Sequence, residues 1–129
     1  MAKKYRLAIF TSSILKTSTG SMGTVLSILS SLNPEKYSVS IILIDNLLDK
    51  SSAISQSEIE KDPAYISVDQ VMKHPLISNK YYLEEMTIEA LKNNFDGAIV
   101  AIYNTYGEDG RLLGLLDLVG MPYMSPGIK

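Results

Sequence analysis

Phe95-Asp96-Gly97-Ala98-Ile99-Val100-Ala101-Ile102-Tyr103 is a continuously apolar run once past Gly97. A short loop and Gly107-Glu108-Asp109-Gly110 follow it. Leu112, Leu115, Leu116 and Val119 then recur at helical spacing. The first run has the length and composition of a strand buried on both faces, the setting of a strand inside a parallel sheet. The second pattern is an amphipathic helix. Gly120 stands where a helix ends in a left-handed residue, and Met121-Pro122-Tyr123-Met124 reads as a further short strand. Strand, helix and strand in this order make a βαβ unit.

The same grammar extends toward the N-terminus. Tyr5-Arg6-Leu7-Ala8-Ile9-Phe10 is a strand-forming run that opens into Thr11-Ser12-Ser13. Met22, Val25, Leu26, Leu29 and Leu32 mark a helix, for which Ser18, Thr19 or Ser21 can supply a cap. Asn33-Pro34 stops it, because proline disfavours helical backbone in the residue before it. Tyr37 to Asp45 is the next strand, apolar throughout its second half. Residues 47–79 carry dense serines and two prolines, which predicts mostly loop with short strand or helix pieces. From Lys80 a helical pattern resumes, with Leu83, Met86, Ala90 and Leu91 on one face and Asn93-Asn94 at its end.

The order β-α-β-(irregular)-α-β-α-β predicts an α/β fold: a Rossmann-like, open, mainly parallel sheet with helices on both faces. The 129 residues suit one domain. With 46% hydrophobic and 20% charged residues, the composition is that of an ordinary globular chain. A net charge of −2 provides no electrostatic case for nucleic acid or an anionic membrane surface. There are no cysteines, so disulfides, thiolate catalysis and cysteine-bound metals are excluded. No signal-peptide pattern and no membrane-spanning run is seen, and a cytoplasmic location is expected.

Ligands of open α/β sheets bind beyond the C-terminal strand ends. Those ends lead into residues 11–21, 45–48, 103–110 and 125–127. Gly107-Glu108-Asp109-Gly110 reads first as the start of a helix, its acidic side chains meeting the positive end of the dipole. A helix N-terminus at a strand end also aims free N–H groups at a ligand. The Thr/Ser/Gly loop after the first strand can cradle an anion in the same way, although it is more simply a well-capped connection. It lacks both the G-x-G-x-x-G pattern and the P-loop, which argues against a nicotinamide-binding Rossmann domain. His74 is the only histidine and makes a poor metal site alone. Arg111, Tyr103 and Tyr106 flank the later loop, with solvated or packing roles as the simpler readings.

The run Tyr103-Asn104-Thr105-Tyr106-Gly107-Glu108-Asp109-Gly110, then Leu113-Gly114-Leu115-Leu116-Asp117-Leu118-Val119-Gly120-Met121-Pro122-Tyr123, resembles the end of the N-terminal domain of D-alanine–D-alanine ligases. Members read His-Gly-x-x-Gly-Glu-Asp-Gly there, then a leucine-rich helix and Gly-Ile-Pro-Tyr. Ser125-Pro126-Gly127 stands at the family's following turn. Asn33-Pro34-Glu35-Lys36-Tyr37 is similar to its Asp-x-x-Lys-Tyr. The resemblance covers residues 95–127 strongly and 5–45 fairly, and is absent between them.

The resemblance implies a pre-ATP-grasp domain spanning residues 1–129, with the central and C-terminal ATP-grasp domains absent. Such enzymes join two D-alanines in peptidoglycan biosynthesis through an acyl phosphate made with ATP and magnesium. Those cofactors belong to the full-length ligase and not to this domain, which should not catalyse alone. The implied partners are the missing ATP-grasp domains, a second copy in a homodimer and a small amino-acid ligand. Thr17, Ser18, Tyr103, Asn104, Gly107, Glu108, Asp109 and Gly110 are the substrate-side candidates. The chain departs from the family where Thr11-Ser12 replaces a glycine pair, where Thr17 or a neighbour replaces a glutamate, and where Tyr103-Asn104 replaces His-Gly. A neutral hydroxyl cannot give a buried ammonium its ion pair. These departures imply a divergent relative with an altered substrate, or a stand-alone binding or regulatory module that kept the fold.

Overall fold

A computed structural model describes residues 3–11, 20–44, 66–101 and 108–124. Five strands appear in chain order: β1 (Tyr5–Thr11), β2 (Tyr37–Leu43), β3 (Ile77–Tyr82), β4 (Gly97–Val100) and β5 (Tyr123–Met124). Four α-helices lie among them: α1 (Gly20–Ser31), α2 (Val68–Met72), α3 (Ile88–Asn94) and α4 (Glu108–Val119). The sheet order is β3-β2-β1-β4-β5, and every pairing is parallel. This is the predicted Rossmann-like α/β architecture.

Period-two alternation divides the core between the two faces of the sheet. Leu7, Ile9, Val39, Ile41 and Leu43 pack with Val25 and Leu29 of α1 and Val71 of α2. Ala8, Phe10, Ile42 and Ile44 pack on the other face with Leu91 of α3 and Leu116 and Val119 of α4. Strands enclosed in this way are mostly apolar: β1 and β2 are each buried over their last five residues, of which only Thr11 and Ser40 are polar.

Local chemistry sets the boundaries. Ser67 and Gln70 form a reciprocal capping box at the start of α2, with Gln70 N–H donating to Ser67 Oγ at 3.1 Å. Thr87 caps α3, its Oγ1 accepting from Ala90 N–H at 3.0 Å. Gly120 has φ +79° and closes α4. Its N–H reaches Asp117 O at 3.1 Å, and Met121 N–H reaches Leu116 O at 3.1 Å. That pair of bonds is a Schellman motif, in which a left-handed residue allows the last carbonyls to be satisfied. Ser21 lies inside α1 and so does not cap it, while Ser18 and Thr19 lie outside the described residues.

Two expectations need correction. The sheet has five strands and not four, and the helix expected from Lys80 starts at Ile88. Lys80, Tyr81 and Tyr82 complete β3, and Leu83–Glu85 form a 3-10 turn before α3. β3 is an edge strand whose Ser78, Asn79 and Lys80 are exposed. Backbone pairing with β2 holds it, so its sequence shows little apolar alternation. Leu83 and Met86 still reach the same core as Leu91, which preserves a helix-like spacing across the turn. Among the described residues, no helix is long and apolar enough to cross a membrane.

Candidate functional site

The strand order reverses between β1 and β4, because β2 lies on one side of β1 and β4 on the other. Connections from these two strands leave in opposite directions, toward α1 on one face and α4 on the other. In open α/β sheets, ligands bind in the crevice outside such a reversal, at the C-terminal strand ends. Backbone bonds fix this edge: Ala101 N–H donates to Phe10 O at 2.8 Å, and Ile44 N–H donates to Thr11 O at 2.9 Å.

Of the substrate-side candidates, Glu108, Asp109 and Gly110 form the first turn of α4 at this edge. The helix thus begins within the Gly-Glu-Asp-Gly run, as the helix-start reading expects. Thr17, Ser18, Tyr103, Asn104 and Gly107 lie outside the described residues, as does Tyr106. Arg111 follows within α4.

Sequence reasoning did not single out Thr11 as a functional side chain. The last residue of β1, it is fully buried, and its Oγ1 has no hydrogen-bond partner among the described residues. An unsatisfied buried hydroxyl costs about 1–3 kcal/mol, so such atoms are uncommon in folded proteins. The chain shows only a polar residue ending an apolar strand, and its place at the reversal of strand order emerges from the sheet.

An ion pair lies at the opposite edge. Arg6 holds Asp96 through Nη2–Oδ1 at 3.0 Å and Nε–Oδ2 at 3.2 Å, and Arg6 N–H also donates to Oδ2 at 2.8 Å. The guanidinium and the backbone donor lower the Asp96 pKa to about 2. The hydrogen bond to Asp96 in turn raises that of Arg6. On α4's C-terminal side, burial chiefly raises the Tyr123 pKa, assisted by the charge of Asp117 and a hydrogen bond to it. These groups sit at N-terminal strand ends or beyond α4, away from the crevice.

His74 is half-buried, and its Nδ1 accepts from Leu76 N–H at 3.2 Å, which supports the simple structural reading. Among the described residues, no three His, Asp or Glu side chains gather as a metal site. A hollow of about 310 Å³ opens toward the N-terminal edge, lined by Tyr5, Leu7, Tyr37, Ile99 and Tyr123 among others.

Several curated proteins are similar to the chain in sequence. One, named D-alanine–D-alanine ligase, from Rhodococcus erythropolis, is 28% identical over 117 residues, covering 79% of this chain and 30% of that protein. The D-alanine–D-alanine ligase of Parabacteroides distasonis is 41% identical over 54 residues, 42% of this chain and 16% of its own. That of Delftia acidovorans is 45% identical over 40 residues, 31% of this chain and 12% of its own. The chain thus spans less than a third of the length of these relatives. No protein-family model matches it, and no solved structure matches it. By sequence, the chain is a divergent relative of the D-alanine–D-alanine ligases.

Proposed function

We propose that the chain is the N-terminal, substrate-side domain of an ATP-dependent carboxylate–amine ligase of D-alanine–D-alanine ligase type, inactive alone. The sequence relation to proteins of that name, reaching 79% of this chain in one case, carries the reading. Further support comes from the open parallel sheet and from a helix that begins within the Gly-Glu-Asp-Gly run. ATP and magnesium then belong to ATP-grasp domains lying in the part of the relatives that this chain does not span. Phosphoryl transfer needs clustered cations and donors, and that machinery is assigned to those domains. A homodimer, a cytoplasmic location and a role in the cell wall belong to the same proposal.

The substrate is altered from D-alanine in this reading. Thr11-Ser12, Thr17 and Tyr103-Asn104 stand where the resembled family has its glycine pair, glutamate and His-Gly. The same replacements favour the second reading, a binding or regulatory module without catalysis.

Reading the gene past the Lys129 codon tests the proposal. ATP-grasp sequence is expected there, and the product of the whole frame should release ADP when given ATP, magnesium and an amino-acid pair. The 129-residue chain should release none. A frame closing directly after Lys129, with a product that binds a small ligand and never hydrolyses ATP, would give the case to the second reading.

A further inference from the structure

We propose that the crevice at the C-terminal ends of β1 and β4 takes an anionic oxygen group of its ligand on the N-terminus of α1, with the Thr11 hydroxyl as a donor. The proposal rests on reading this crevice as the ligand side of the domain, and it is independent of the ligase chemistry.

Thr11 has the right place. Leu7 and Ile9 belong to the core shared with α1, whereas Ala8 and Phe10 belong to the opposite core. Strand alternation puts Thr11 with the first set, on α1's side of the sheet. Because β1 and β2 are parallel, α1 must run back across the sheet from its C-terminal edge. Its first turn, from Gly20, therefore starts at the edge where β1 ends in Thr11.

The electrostatics choose the sign of the ligand group. The first N–H groups of a helix lack partners within it and carry roughly half a positive charge. Helix α1 has 12 residues and no acidic residue in its first turn. The sequence from Thr11 to Ser21 contains Lys16 and neither aspartate nor glutamate. An ammonium group there would face the positive end of α1, whose first turn carries no acidic residue. A carboxylate or phosphate oxygen can accept from both the helix N–H groups and the buried Thr11 hydroxyl, which satisfies a donor otherwise left unpaired.

Titration of the ¹⁵N-labelled 129-residue chain tests this, with sodium phosphate, sodium acetate and D-alaninamide in separate arms. The last carries an ammonium group and no carboxylate. Saturable amide shifts at Gly20 to Gly23 are expected with an oxyanion and not with D-alaninamide. Response to phosphate alone assigns a phosphate group, and response to acetate alone a carboxylate. Thr11→Val should weaken the binding about fivefold or more, the loss of one charge-assisted hydrogen bond, while Thr11→Ser should retain it. Should the valine variant not fold, the serine variant and the D-alaninamide arm still decide. The proposal is overturned by an absence of saturable shifts with either oxyanion, by equal binding in a folded Thr11→Val, or by preferential binding of D-alaninamide. A gene without ATP-grasp sequence would end the ligase reading and leave this one standing.

Discussion

Arg6 and Asp96 tie β1 to the start of β4 through a two-pronged ion pair, Nη2–Oδ1 at 3.0 Å and Nε–Oδ2 at 3.2 Å. Backbone bonds run beside it: Arg6 N–H donates to Oδ2 at 2.8 Å, and Asp96 N–H donates to Arg6 O at 2.7 Å. Arg6 Nη1 also donates to Asn93 O at 2.9 Å, on the last turn of α3. One side chain thus joins two neighbouring strands and the helix that crosses between the sheet's two halves.

This pair makes stability depend on acid. The Asp96 pKa is lowered from 3.8 to about 2, first by the Arg6 side chain and then by its backbone N–H. The contribution is therefore complete above the unfolded-state value and disappears as pH falls through about 4 toward about 2. About a third of the Asp96 side chain is exposed, so screening should hold the effect to about 1 kcal/mol or less. Asp96→Asn should lower the melting temperature at pH 7 and flatten the acid limb between pH 4 and 2. Urea unfolding at several pH values measures both, and an unchanged acid limb would count against the pair.

Gly120 should resist replacement. Its φ of +79° costs a side chain strain whatever the space around it, and a Cβ would in fact meet nothing within 4 Å. Gly120→Ala is therefore expected to cost about 1 kcal/mol from backbone conformation alone. Gly120→Asn should cost less, since asparagine tolerates the left-handed region better. Chemical denaturation of both variants gives the ranking, and equal losses would point away from the backbone.

These two features differ in how far sequence revealed them. Gly120 was readable because a glycine after Leu116 and Val119 has one common use, to end a helix. β1, β2 and β4 were readable because strands covered on both faces are largely apolar, with few polar residues such as Thr11 and Ser40 among those buried. β3 was not, since an edge strand held by backbone bonds can carry Ser78, Asn79 and Lys80 with no loss. The Arg6–Asp96 pair was not readable either: two charged residues 90 positions apart show nothing of their pairing until the sheet order is known. For the candidate site, the strand-end location followed from topology and Glu108 to Gly110 fell at a helix start as read. Thr11 was passed over because a threonine at a strand end is commonplace until its hydroxyl is found buried without a partner.

The two-faced core predicts similar losses on both sides of the sheet. Leu29 of α1 is 1% exposed and Leu116 of α4 is fully buried, in separate clusters. Leu29→Ala and Leu116→Ala should each destabilise the chain by about 2–5 kcal/mol. With the sheet between them, the double variant should lose nearly the sum. A double variant losing much less would mean that one cluster is already open in the folded chain.

Gly97 and Tyr5 should show coupling. A Cβ at position 97 would collide with the Tyr5 hydroxyl and lie 3.1 Å from two of its ring carbons. That hydroxyl donates to Asp96 O at 2.8 Å, and the ring meets Tyr37 edge-on with centroids 6.0 Å apart. Tyr5 is 41% exposed, so its ring can swing outward and Gly97→Ala need not prevent folding. Swinging gives up the hydrogen bond and the aromatic contact, a loss of about 1–2 kcal/mol. Tyr5→Phe removes the colliding oxygen and the hydrogen bond together. Gly97→Ala should then cost less in the Tyr5→Phe background than in the native chain, by about 0.5–1 kcal/mol. A double-mutant cycle from urea unfolding measures the difference. Additive losses would show that the cost of a side chain at position 97 lies in the strand backbone and not in Tyr5.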